Sequence, residues 1–132
     1  AVAEWNKHIT FELLNGCVET LTQHGVSETD IHIHFVPGTF ELPFAGKKLA
    51  QQHHLAGVIC LGCVIKGETD HDVYINTSVA NALQNLNIAF DIPFIFGVLT
   101  PNNEEQALDR AGGKHGNKGV EAAVTALKMS AI

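Results

Sequence analysis

Apolar residues recur along this chain with two alternating periods, one helical and one of two or less, and their order predicts the architecture. Lys7–His24 sets Ile9, Leu13, Leu14, Cys17, Val18 and Leu21 at helical spacing, with Asn6 as N-cap and Gly25 as a stop. Ile31–Val36 alternates Ile31, Ile33 and Phe35 with His32 and His34 and ends at Pro37–Gly38, which predicts a strand. Thr39–Gln52 reads as a helix with Pro43 in its first turn, where proline is tolerated. Gly57–Ile65 and Pro93–Leu99 are unbroken apolar runs, the mark of strands buried on both faces. Between them, Thr69–Leu86 carries Tyr74, Ile75, Val79, Leu83 and Leu86 at helical spacing. Two more helices, Asn103–Ala111 and Asn117–Ala131, are separated by a hinge containing Gly112, Gly113 and Gly116. Ala1–Val2–Ala3 reads as the tail of a strand, with earlier residues expected before it.

The order βαβαβαβαα predicts an α/β fold for a single domain, 1–132. It is a flavodoxin-like three-layer α-β-α sandwich around a four-stranded parallel sheet with right-handed crossovers. Ligands of such sheets lie beyond the C-terminal ends of the strands. Here those ends are Trp5–Asn6, Pro37–Glu41, Ile65–His71 and Thr100–Asn102.

Composition narrows the partners. With 45% hydrophobic and 17% charged residues the chain is globular, and no apolar run approaches the roughly 20 residues of a membrane span. A net charge of −6, with a single arginine among eight basic residues, excludes a broad nucleic-acid or acidic-membrane face. A small anion could still be held at one or two places. Three cysteines make no disulfide framework and Ala1 opens no secretory signal. A cytoplasmic location is therefore expected, or an organelle where a targeting segment has been removed.

Lys66–His71, KGETDH, follows a buried strand and opens a helix near Thr69. Free N–H groups and the positive end of the helix dipole there suit phosphate, and His71 lies in the first helical turn as a candidate proton-transfer residue. The same residues also make an ordinary strand-to-helix turn, and Glu68, Asp70 and Asp72 would repel an anion while favouring the helix start. In PGTFELP, Phe40 offers a flat face to a heterocycle and Glu41 an acceptor for hydroxyls, or both belong to a turn and a helix start. Trp5, the only tryptophan, is at a strand end, where packing competes with ligand stacking. Arg110–Gly119 holds the only arginine and two lysines; Arg110 either grips a phosphate bidentately or completes a helix C-terminus. Phe96 reads as core. Cys60-x-x-Cys63 lies within a strand, where residues three apart face opposite sides, so redox and zinc chemistry are set aside. His32-x-His34 has no evident third ligand, His53–His54 ends a helix, and no Gly-x-Gly-x-x-Gly fingerprint is present.

Taken in order, WN at Trp5–Asn6, VPGTFELP at Val36–Pro43, LGCVIKGETDH at Leu61–His71, FGVLT at Phe96–Thr100, EQALDRAG at Glu105–Gly112 and GNKGVEAA at Gly116–Ala123 resemble the lumazine synthase family over nearly the whole chain. The resemblance implies a transferase of riboflavin biosynthesis that needs no cofactor or metal. It joins 5-amino-6-(D-ribitylamino)uracil to 3,4-dihydroxy-2-butanone 4-phosphate and releases phosphate. By resemblance, Trp5 and Phe40 with the backbone around Thr39 and Cys63, Val64 and Ile65 form the pyrimidine pocket, and Glu41 binds the ribityl chain. Glu68 and Thr69 backbone groups with Arg110 hold the phosphate, and His71 transfers protons. Phe96, Arg110 and Lys118 reach the site from a neighbouring subunit, which implies a homopentamer or a pentamer-based 60-subunit icosahedral capsid. Riboflavin synthase is a further partner so implied. The chain departs from the family at Asp72–Val73, where an aromatic and then an acidic residue are usual. Two other readings stand beside this one: an archaeal-type riboflavin synthase, and a non-catalytic flavin- or lumazine-binding shell protein.

Overall fold

The computed structural model describes residues 1–132. Its elements are β1 (Val2–Ala3), α1 (Lys7–Gln23), β2 (Phe35–Val36), α2 (Leu42–Gln52), β3 (Val58–Cys63), α3 (His71–Phe90), β4 (Phe94–Leu99), α4 (Glu104–Asp109), β5 (Ala111–Gly113), β6 (Gly116–Asn117) and α5 (Lys118–Ser130), with 3₁₀ turns at Glu28–Asp30 and Thr39–Glu41. Strands β2-β1-β3-β4 form one parallel sheet. The register runs from Val58 opposite Phe94 to Cys63 opposite Leu99, with Val2 opposite both Phe35 and Leu61.

The period of two divides the core between the faces of that sheet. Leu61, Cys63, Ile95 and Leu99 meet Ile9, Leu13 and Cys17 of α1 and Ala122, Ala123 and Ala126 of α5. Val58, Cys60, Phe94 and Val98 meet Leu42 and Ala45 of α2 and Val79 and Leu83 of α3. Each large side chain so buried contributes roughly 1.5–3 kcal/mol. The three-layer α/β sandwich follows: α1 and α5 on one face, α2 and α3 on the other. Gly119 lets α5 approach α1 closely, since a Cβ there would come within 1.8 Å of the Leu13 carbonyl oxygen.

Several boundaries differ from the pattern. Of the strand expected over Ile31–Val36, Phe35–Val36 pair with Val2–Ala3 of β1. The helix expected over Thr39–Gln52 divides. Pro43 has no N–H to give the Thr39 carbonyl, so Leu42 bonds it instead and the α-helix begins there. The strand over Gly57–Ile65 contracts to Val58–Cys63, although Val64 N–H still reaches Leu99 O at 2.9 Å. The helix over Thr69–Leu86 starts at His71 and runs on to Phe90, whose ring packs edge-on against Phe94, and it stops at Asp91 in the left-handed region (φ 55°). The glycine hinge is an antiparallel hairpin, β5–β6, made possible by Gly112 at φ 104° and Gly116 at φ 81°.

Candidate active site

Beyond the C-terminal ends of the four strands, the connecting loops are tied to one another. Trp5 N–H donates to Pro37 O at 2.9 Å, joining the ends of β1 and β2. Lys66 N–H reaches Pro101 O at 3.0 Å, joining the loops after β3 and β4. Between β1 and β3 the link is a side chain: Asn6 Nδ2 donates to Cys63 O at 3.0 Å. His8 and Glu104, from the first turns of α1 and α4, hydrogen-bond across the same rim.

Asn6 holds the N-cap position expected of it, its carbonyl accepting from Thr10 N–H at 3.0 Å, but its side chain is used elsewhere. It precedes α1 but makes no side-chain cap; it adopts φ 61° and spends its amide on the sheet. A left-handed asparagine costs less than other side chains would there, and such strain collects at functional positions. Trp5, which precedes this left-handed residue, is 75% exposed. Phe40, on the 3₁₀ turn, is 62% exposed, and neither ring packs against another aromatic ring of the chain. Thr39 beside it is buried, with its hydroxyl against Gly62, where a Cβ would come within 2.5 Å of it. Glu41 is half-buried at the end of that turn.

The segment Lys66–Asp70 has no regular structure, and the N–H groups of Glu68, Thr69 and Asp70 make no hydrogen bond within the chain. Thr69 Oγ1 accepts from His71 N–H at 3.3 Å, so the threonine does receive a helix-opening amide as its position suggested. His71 is the first residue of α3 and its imidazole is exposed on the rim. Asp72 turns inward instead: its Oδ1 and that of Asn76, one turn on, are shielded from solvent without a partner. Trp5, Thr39, Phe40, Glu41, Cys63, Val64, Ile65, Glu68, Thr69 and His71 therefore sit on the loops, strand ends and first turn of α3 along one edge.

Three of the expected site residues lie elsewhere. Phe96 and Lys118 line a groove of about 510 Å³ between α3 and α5, along the outer side of β4, together with Ala80, Gln84 and Glu121. Arg110 is exposed in the turn after α4, makes no ion pair, and is joined to Lys118 by the bond from Lys118 N–H to Arg110 O at 2.8 Å. None of the rim residues lines that groove.

The three cysteine side chains are buried in the core. Cys60 belongs to the α2–α3 side of the core and Cys63 to the α1–α5 side, as their spacing required. Burial pushes the thiols of Cys17, Cys60 and Cys63 up to about 11, so all three are protonated and un-nucleophilic at neutral pH. No three metal-ligating side chains converge anywhere, and His32 stacks on His53 with ring centroids 4.1 Å apart. A second cavity, of about 230 Å³, lies at the opposite, N-terminal end of the sheet, where Leu14, Leu21, Val26, Leu49, Leu55 and Ile59 make it overwhelmingly apolar.

A parallel sheet covered on both faces, with polar loops and open aromatic rings gathered past its strand ends, defines an α/β protein of the flavodoxin-like class. A sequence model of the 6,7-dimethyl-8-ribityllumazine synthase family matches residues 1–132. Proteins named 6,7-dimethyl-8-ribityllumazine synthase are similar throughout. That of Porphyromonas gingivalis is 53% identical over 132 residues, covering 100% of this chain and 82% of the relative. That of Cytophaga hutchinsonii is 55% identical over 130 residues, covering 98% and 82%. The Parabacteroides distasonis protein is 53% identical over 128 residues, covering 97% and 80%. The chain belongs to the 6,7-dimethyl-8-ribityllumazine synthase family.

Proposed function

We propose that this protein condenses 5-amino-6-(D-ribitylamino)uracil with 3,4-dihydroxy-2-butanone 4-phosphate to 6,7-dimethyl-8-ribityllumazine, releasing phosphate and water, as an enzyme of riboflavin biosynthesis. The observation that carries this reading is that the family match spans residues 1–132 and so includes every rim segment. The match also favours the synthase over a riboflavin synthase or a non-catalytic shell.

The ring amine attacks the ketone, phosphate leaves, and a second carbon–nitrogen bond closes the ring. Each step moves a proton, and His71 on the rim is the group that carries it, worth about 10²- to 10⁴-fold. Much of the remaining acceleration comes from holding two substrates in register. Trp5 and Phe40 offer their open faces to the pyrimidine, bounded by Thr39 and the backbone of Cys63, Val64 and Ile65, while Glu41 accepts from ribityl hydroxyls. The unpaired N–H groups at Glu68 and Thr69 suit the phosphate, with Arg110 as its cation.

Phe96, Arg110 and Lys118 serve the rim of an adjacent copy, and the active assembly is a homopentamer, alone or built into an icosahedral shell. What supports this is their position: Phe96 and Lys118 share the groove on the free side of edge strand β4, apart from their own rim. None of the helices is long and apolar enough to cross a membrane. Three unpaired thiols suit the cytoplasm, where riboflavin synthase would take up the product.

The test mixes both substrates with the purified protein and follows lumazine fluorescence and phosphate release together against an uncatalysed blank. One lumazine per phosphate at a rate well above the blank is expected. A rate equal to the blank from an intact, ligand-binding oligomer would overturn the synthase reading.

A further inference from the structure

Asn117 stands where α1, α5 and the β5–β6 hairpin meet. Its Oδ1 accepts from Gly119 N–H at 2.7 Å and Val120 N–H at 3.2 Å, capping α5, while its Nδ2 donates to the Glu12 carbonyl of α1 at 3.0 Å. The space for that amide exists because residue 16 is glycine: a Cβ there would lie 2.7 Å from Asn117 Nδ2. Asn117 also pairs with Ala111 in the hairpin, and the next amide, Lys118 N–H, closes onto Arg110 O at 2.8 Å. One side chain thus ties the segment bearing Arg110 and Lys118 to the helix that begins beside Trp5 and Asn6.

A helix cap needs only an acceptor, which serine or aspartate would supply equally well. The second bond needs a donor on the same short side chain, and asparagine provides both. The donor has no part in capping; it fixes where the hairpin stands against α1. We propose that Asn117 is a positioning residue for substrate binding, which sets Arg110 and Lys118 for the phosphate without touching the substrate itself. This rests on the reading above, in which those cations meet the phosphate-bearing substrate.

The test is steady-state kinetics on the assembled protein with each substrate varied in turn, alongside thermal unfolding. Asn117→Asp keeps the cap acceptor and replaces the donor with a second acceptor, and Asn117→Ser keeps the cap acceptor on a side chain one bond too short for its hydroxyl to take the place of Nδ2 at the Glu12 carbonyl; the carboxylate also favours the helix start, so the aspartate variant serves if the serine variant fails to fold. Each is expected to raise KM for the butanone phosphate about five- to tenfold, the size of one lost hydrogen bond, and to leave KM for the ribitylaminouracil unchanged. Leu49→Ala, which loosens the core far from the rim, is expected to lower Tm with both KM values kept. If Arg110→Ala raises KM for the phosphate substrate but the Asn117 variants lower only Tm, Asn117 is a cap and the positioning role is overturned. If Arg110→Ala also leaves that KM unmoved, the phosphate assignment itself fails.

Discussion

At the C-terminal ends of the strands, loops are laced together by hydrogen bonds that leave two aromatic rings, a histidine and several amide groups facing outward. At the N-terminal ends lies a cavity of about 230 Å³ walled almost wholly by aliphatic side chains. That cavity holds few groups that could orient a polar substrate or move a proton. Concavity alone does not mark a site; convergent polar groups on a rigid frame do. The rim has those because parallel strands all deliver their connections to the same edge.

If the two ends divide chemistry from stability, changes at each should move different quantities. The largest effect is expected at the rim: His71→Ala should cut kcat about 10²- to 10⁴-fold while Tm holds, because the imidazole is exposed and bonds nothing. An unchanged kcat would remove His71 from the chemistry. At the other end, Leu49→Ala should cost about 2–3 kcal/mol in denaturant unfolding and leave kcat alone, since Leu49 is 8% exposed and already borders a void. A rate loss there would dissolve the division. Asn6→Ala should do a little of both. It should lose about 1–2 kcal/mol from the left-handed backbone and the missing bond to Cys63 O, and raise KM for the pyrimidine substrate. Asn6→Gly, which relieves only the backbone, should recover the stability better than the KM.

The core thiols extend the comparison to pH. Their pKa values are raised from the ordinary 9.0 to about 11, so the unfolded chain loses these protons first. Stability should therefore be flat below about pH 9 and fall as pH rises towards about 11. Thermal melts at pH 7 and pH 10 check this, and a Cys17→Ala, Cys60→Ala, Cys63→Ala triple variant should show a shallower alkaline decline.

Where the apolar pattern is dense, it was sufficient to read the fold. The runs at Val58–Cys63 and Phe94–Leu99 are buried on both faces, and the α1 stripe from Ile9 to Cys17 packs as its spacing demanded. Legibility ended where geometry depends on bonds rather than burial. The 3₁₀ turn at Thr39–Glu41 follows from an N–H that Pro43 lacks, and the β5–β6 hairpin from glycine dihedrals; neither leaves a periodic trace. Asn6 is the N-cap the apolar stripe predicted, but the partner of its side chain is 57 residues away, which no local pattern records. The division of the expected site between the rim and the β4 groove was legible only through the family resemblance, since Phe96 alone reads as core.

The solitary indole has a spectroscopic consequence. Trp5 is the chain's only tryptophan and projects 75% exposed from the turn that Asn6 holds. Its emission on excitation at the red edge of protein absorbance therefore comes from a single place, one that borders the rim and is insulated from the packed interior. The protein carries its own optical gauge of what covers that edge. A molecule stacking there would quench or blue-shift a signal against almost no background, while loosening of the distant core would leave the spectrum nearly still until the turn itself gives way.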